Sequence, residues 1–193
     1  MVELIEPQPA PPRRPNLVLI GYRATGKTSV GARLAMLLHR PFVDLDQVLV
    51  REAGRPIADI VAQGGWAEFR RREKELVARY AATPNQVLAP GGGAVLDPDN
   101  VAALRDNGII IWLTADPDTI QARLAQDQPR DVNRPSLTGS DAIQEVTEVL
   151  SQRAPLYQAA AQIIVDTTHR EVAQVVELVL EALKSEETKN HGG

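Results

Sequence analysis

A lysine in an arginine-rich chain is the first residue placed to do chemistry. Of the 21 basic residues, 17 are arginine and 4 are lysine. Lys27 is one of those four, set in Gly21-Tyr22-Arg23-Ala24-Thr25-Gly26-Lys27-Thr28-Ser29. The spacing is G-x-x-x-x-G-K-[ST], with the apolar run Leu17–Ile20 before it and a helical pattern after it. Glycines let the backbone curl so that successive N–H groups face phosphate oxygens. The helix that follows adds its positive end. Lys27 then supplies a compact, mobile charge to the β- and γ-phosphates, and the Thr28 hydroxyl is the expected Mg²⁺ ligand. An arginine fork is too large and rigid for that seat. The bland alternative is a chance glycine turn before a helix.

Four other clusters carry possible chemistry. In Phe42-Val43-Asp44-Leu45-Asp46, a spacing of two along an extended segment sends both carboxylates to one side. One could orient Mg²⁺ while the other takes a proton from an attacking hydroxyl. Alternatively, Asp46 caps the helical stretch after it and Asp44 is a solvated strand end. On the helical Trp66–Leu76 stretch, Arg70 and Glu73 share a face, to pair or to look jointly into a site. Arg71 and Arg72 point elsewhere, toward solvent. Gly91, Gly92 and Gly93 directly follow an apolar run, where glycines bring backbone N–H groups close to a ligand or simply make a flexible turn. No acidic metal residue stands there, which moves that role toward Asp44. Residues 125–141 form a long polar segment punctuated by proline and glycine. It reads as a lid, about 126–140, with Arg130 and Arg134 able to close over a triphosphate. Arg153 lies in a helix that Pro155 is expected to disturb, as a surface residue or a clamp.

The elements that must hold these residues alternate along the chain. Strands are expected at Leu17–Ile20, Pro41–Asp44, Gln86–Ala89, Ile109–Leu113 and Ile163–Asp166, apolar throughout as in strands buried on both faces. Helices are expected at Lys27–His39, Trp66–Ala82, Pro98–Asn107, Pro117–Gln126, Asp141–Tyr157 and Arg170–Lys184. This is an α/β fold: a three-layer, five-stranded parallel sheet flanked by helices. Ligands in such sheets bind beyond the carboxyl ends of the strands, where every cluster above falls. At 193 residues and 44% hydrophobic, the chain suits one domain, expected over residues 16–184. Residues 1–15, with five prolines, read as an extended unpacked arm, and 185–193 as a frayed polar tail. The N-terminus has the pattern of neither a secretory nor a transit peptide.

A net charge of −4 argues against a broad nucleic-acid footprint. No apolar run reaches a membrane span. Having no cysteine, the chain can build no disulfide framework or thiolate site, which fits a reducing compartment.

Taken in order, the pieces GYRATGKT, FVDLD, EFRRRE, PGGGAV, NRPSL and QRAPLY resemble shikimate kinase, of the nucleoside-monophosphate-kinase-like P-loop group. They cover Leu17 to Thr168. The resemblance implies transfer of the ATP γ-phosphoryl to the 3-hydroxyl of shikimate by a cytoplasmic monomer. It implies ATP and Mg²⁺ held by Gly21, Ala24, Thr25, Gly26, Lys27, Thr28 and Ser29, with Thr28 and Asp44 on the metal side. Asp46 would bind the ring hydroxyls and act as base. Arg70 and Arg153 would hold the carboxylate, helped by the Gly91–Gly93 backbone. Arg134 would be the lid arginine reaching the phosphates, catalytic with Lys27 and Asp46. Arg123 would stack on adenine, and residues 167–170, including Thr168, would form the base loop. Ala24 departs from the family's usual glycine, and the lid reads RPSL where a second leucine is commoner. A related small-molecule kinase, for example one acting on gluconate, would share cradle and lid. A catalytically dead nucleotide-binding module would have lost Lys27, Asp46 or Arg70, and none is lost.

Overall fold

Where apolar residues run without a polar alternate, both faces of a strand are expected to be covered, and the inner strands of this sheet are covered on both. The computed structural model describes residues 14–127 and 142–191. Its strands are β1 (Asn16–Ile20), β2 (Phe42–Asp44), β3 (Val87–Ala89), β4 (Gly108–Thr114) and β5 (Ile163–Asp166). They pair in parallel in the order β2-β3-β1-β4-β5. The helices are α1 (Lys27–Leu38), α2 (Leu45–Ala53), α3 (Ile57–Ala81), α4 (Pro98–Asp106), α5 (Pro117–Asp127), α6 (Ala142–Ala160) and α7 (Val172–His191).

Alternate residues of the inner strands β3, β1 and β4 feed two separate cores, whereas the edge strand β5 buries Ile163 and Val165 on one face and exposes Ile164 on the other. Leu17 and Leu19 join Leu34 of α1 and Val176 and Val179 of α7 on one face. Val18 and Ile20 join Val77 of α3, Leu104 of α4 and Tyr157 of α6 on the other. Each fully buried aliphatic side chain contributes about 1.5–3 kcal/mol of burial, so both faces hold the sheet rigid beneath its carboxyl-end loops. Among the described residues, no helix is long and apolar enough to cross a membrane.

Several boundaries differ from the sequence reading. α3 begins at Ile57 rather than Trp66, because Gly65 (φ 71°, ψ 176°) breaks the helix without ending it. The helix bends at Gly65, and its first limb, residues 57–64, lies ahead of the expected start. A short 3₁₀ turn, Ala94–Leu96, follows the glycine run. α6 continues through Pro155 to Ala160 instead of being interrupted there. Tyr157 and Ala160, buried in the core beyond the proline, secure that last stretch. α7 runs past Lys184 to His191, in residues expected to fray. No proline or glycine interrupts the chain until Gly192, and Thr188 bonds back to the Lys184 carbonyl at 2.9 Å. Arg14 and Pro15, assigned to the arm, are tied to the body by Asn85 N–H and by the Arg40 guanidinium. The rest of the arm lies outside the described residues, as does nearly all of the lid with Arg130 and Arg134.

Candidate active site

β1 lies at the middle of the sheet, and its carboxyl end opens into the Gly21–Thr28 loop. Gly21 adopts φ +143°, and a Cβ there would meet the Leu113 carbonyl oxygen at 2.3 Å. Only glycine lets the chain leave β1 so close to β4. The loop is braced from within: the Thr25 hydroxyl, buried, donates to the Tyr22 carbonyl at 2.8 Å. Lys27 Nζ donates to the carbonyls of Gly21 and Tyr22 at 2.9 and 2.8 Å. α1 starts directly at Lys27, capped by Gly26 at φ 95°. Ala24 holds φ +58°, a left-handed backbone that costs an alanine about 1–2 kcal/mol more than a glycine. The departure from glycine is therefore at a position where glycine matters.

Asp44 and Asp46 do not share one extended segment. Asp44 ends β2 and caps α2, its Oδ1 accepting from the N–H groups of Asp46 and Gln47 at 3.1 and 3.2 Å. Its Oδ2 accepts from the Thr28 hydroxyl at 2.8 Å. Asp46 is thus the second helical residue rather than the cap, and its carboxylate is left to face the site. The two carboxylates are separated by the turn into the helix, not aligned by pleat.

Three cavities meet around this loop. One, of about 160 Å³, is walled by Lys27, Thr28, Ser29, Asp44 and Asp46. A second, of about 800 Å³, lies on the far side of the loop, between Ala24, Gly26, Ser29, Arg123, Thr167 and the start of α7. The third is lined by Arg23, Asp46, Trp66, Phe69, Arg70, Glu73, Gly91–Gly93 and Arg153. Ala24, Gly26 and Ser29 border the first and second. Asp46 and Arg23 border the first and third. The cavities form a row, with the phosphate-type loop at its centre.

The third cavity is shaped by the kink in α3. Trp66 and Phe69 pack edge to face, ring centres 5.7 Å apart. The Arg70 guanidinium carbon lies 5.7 and 5.1 Å from those ring centres. Arg70 also donates to Glu73 Oε2. Glu73 is 3% exposed, and burial pushes its carboxyl up to about 7 against the opposing pull of Arg70. Among the described residues its Oε1 has no hydrogen-bond partner. A Cβ on Gly91 would stand 2.7 Å from that oxygen and 2.8 Å from Asp46 Oδ1, so both carboxylates look onto the glycine run. A Cβ on Gly93 would stand 2.2 Å from Arg70 Nη2. Arg153, only 9% exposed, is no surface residue. Next to it on α6, the Tyr157 hydroxyl donates to the Gly92 carbonyl. Burial pushes that phenol up to about 12, so it remains a donor.

At the large cavity, Arg123 donates Nη1 to the Ala24 carbonyl at 3.2 Å and to Thr167 Oγ1 at 3.1 Å. Its Nη2 donates to the Thr167 carbonyl at 2.7 Å. Thr168, expected at the nucleotide, spends its hydroxyl inside the loop, donating to Asp166 and accepting from Asp116 N–H. Its neighbours Thr167 and His169 reach the cavity wall instead. Sequence reasoning missed Arg23, Trp66 and Phe69. The aromatic pair carried a signal in its i, i+3 spacing beside Arg70; Arg23, a variable position of the loop, carried none.

The Thr28 hydroxyl and Asp44 carboxylate form a hard-oxygen set at the edge of the phosphate-sized cavity. Mg²⁺ is commonly held by one or two such groups with water and substrate phosphates, so these residues fit it.

A family model described as shikimate kinase matches residues 23–184. A shikimate kinase of Symbiobacterium thermophilum is 46% identical over 169 residues, which is 88% of this chain and 96% of the relative. One of Syntrophus aciditrophicus is 42% identical over 179 residues, 89% of this chain and 92% of the relative. Among solved structures, the shikimate kinase of Acinetobacter baumannii in complex with shikimate superposes with a TM-score of 0.83 at 31% identity. That match covers 90% of this chain and 94% of the other.

Proposed function

The chain belongs to the shikimate kinase family, and on that footing we propose that it transfers the γ-phosphoryl of ATP to the 3-hydroxyl of shikimate. The observation that carries the residue-level reading is the double position of Asp46, a wall of both the phosphate-sized cavity and the arginine-lined one. A group there reaches a hydroxyl on one side and a phosphoryl on the other.

The large cavity takes the base and ribose, with Arg123 at its wall. The loop N–H groups and Lys27 take the phosphates; Lys27 exchanges its carbonyl partners for phosphate oxygens as they arrive. Thr28 and Asp44 would hold Mg²⁺, which would supply charge neutralisation to the bound phosphates. Arg70 and Arg153 grip the substrate carboxylate, a planar anion that suits two guanidinium forks. The glycine backbone closes in beside them. Asp46 accepts the proton of the 3-hydroxyl as that oxygen bonds to the γ-phosphorus and the bond to the β-phosphate oxygen breaks. ADP leaves with the electron pair. Positioning and charge neutralisation supply most of the acceleration in such transfers. Arg134 is the lid arginine of this reading. The monomer is the working unit of this reading.

A coupled ADP-release assay with shikimate, with gluconate and with no acceptor tests the assignment. Turnover is expected with shikimate alone. Equal turnover with gluconate would move the enzyme to another acceptor class, and none with either would make it a nucleotide-binding module.

A further inference from the structure

We infer that Arg123 is a positioning residue that latches the phosphate-binding loop to the base loop, aiming the Thr25 N–H at the phosphate seat. The inference rests on the nucleotide reading above and adds a task to Arg123 beyond contact with a base.

The Arg123 guanidinium bridges two loops that are far apart in sequence. It reaches Ala24 O on one and both Oγ1 and O of Thr167 on the other. Thr167 is itself fixed: it is 1% exposed, and its N–H donates to Thr114 O at 2.7 Å. The anchor end of the latch is therefore rigid. The other end is Ala24, whose φ of +58° is unfavourable for an alanine and needs outside support to persist.

Peptide geometry turns this support into direction. Among the described residues no peptide bond is cis, and in a trans peptide the C=O and the following N–H point opposite ways. Holding the Ala24 carbonyl toward Arg123 fixes the Thr25 N–H away from it. In a loop that binds anions through successive N–H groups, carbonyls face out and N–H groups face in. The other curls of the loop are braced locally, by Thr25 Oγ1 and by Lys27 Nζ. The Ala24–Thr25 peptide is held from across the cavity. Guanidinium hydrogen bonds lie in the plane of the group. These bonds therefore occupy its edges and leave its faces for a base.

The test separates phosphate from base. Binding of ATP, of inorganic tripolyphosphate and of adenosine is measured by calorimetry on the wild type, Arg123→Met and Arg123→Lys. Melting temperatures check that the variants fold. In Arg123→Met, tripolyphosphate affinity should fall about tenfold, as loss of charge-assisted bonds implies. ATP affinity should fall at least as far. Arg123→Lys keeps the charge but cannot span both carbonyls, so it should not restore tripolyphosphate binding. Amide hydrogen exchange over residues 22–26 should quicken in both variants, a readout available even if Arg123→Met is poorly folded. Unchanged tripolyphosphate binding with weakened ATP would overturn the latch and leave a base contact only. Full recovery in Arg123→Lys would overturn it in favour of simple charge. If the wild type binds neither ATP nor tripolyphosphate, the nucleotide reading fails and the latch with it.

Discussion

Asp44 caps the helix that carries Asp46, and its other oxygen accepts the Thr28 hydroxyl at 2.8 Å. One carboxylate thus ties the phosphate loop to the helix that carries Asp46. Asp46, two positions on, instead lines both the cavity at the phosphate loop and the arginine-lined one, although both are aspartates in the same five-residue stretch.

Asp46→Asn keeps the shape of the side chain and removes its basicity. Turnover should fall by roughly 10²–10⁴, the range for a positioned base, with ATP affinity close to that of the wild type. Near-normal kcat in steady-state assays would take the proton away from Asp46.

Arg70→Lys retains a positive charge but loses the fork. Shikimate KM should rise about tenfold or more while ATP KM holds. An unmoved shikimate KM would reduce Arg70 to an ion pair with Glu73.

Gly93→Ala offers a sharper version of the same question. The added methyl would overlap the Arg70 guanidinium, 2.2 Å away, and the flexible arginine must move. Melting temperature should change little, whereas shikimate KM should rise. A variant with wild-type KM would mean that Arg70 binds from another position.

Glu73 sets a pH dependence of stability. Its native carboxyl lies at about 7, raised chiefly by burial from an ordinary 4.5. The folded state therefore holds a proton that the unfolded state has released between those values, and stability must fall as pH rises through that window. The total is of order 3 kcal/mol, present below pH 4.5 and lost above about pH 7. Glu73→Gln should flatten this slope in denaturant titrations at pH 5 and 8. Equal slopes in both proteins would show that Glu73 ionises normally.

Ala24→Val places a β-branched residue at φ +58°, where even alanine is strained. Destabilisation of about 1–3 kcal/mol is expected, together with weaker ATP binding, by thermal melts with and without nucleotide. An unchanged melt would mean the loop relaxes at no expense.

Much of the fold was readable because its signals are local. Continuous apolar runs mark the strands, and all five lie within two residues of their expected ends, although the run in β5 does not mean two covered faces, since Ile164 is exposed. The phosphate loop was readable for the same reason, since its glycines and lysine act within eight residues. What escaped depends on tertiary packing. Pro155 reads as a break, yet buried Tyr157 and Ala160 hold the helix beyond it. The helix is expected only from Trp66, yet it begins at Ile57 and bends at Gly65. Arg153 could be surface or clamp until α6 was laid against the glycine run. Arg23 became visible only where two cavities shared a wall.

The order of the strands has a practical consequence for redesign. With β1 central, most walls of the arginine-lined cavity lie on the β2–β3 flank, and the large cavity lies between the loop after β1 and the β4–β5 flank. Apart from Arg23 and Arg153, the described walls of the arginine-lined cavity, the acceptor site proposed above, come from one uninterrupted stretch of chain, residues 46–93. Grafting that stretch from another kinase of this architecture would exchange the acceptor while the energy-donating half is left as it stands.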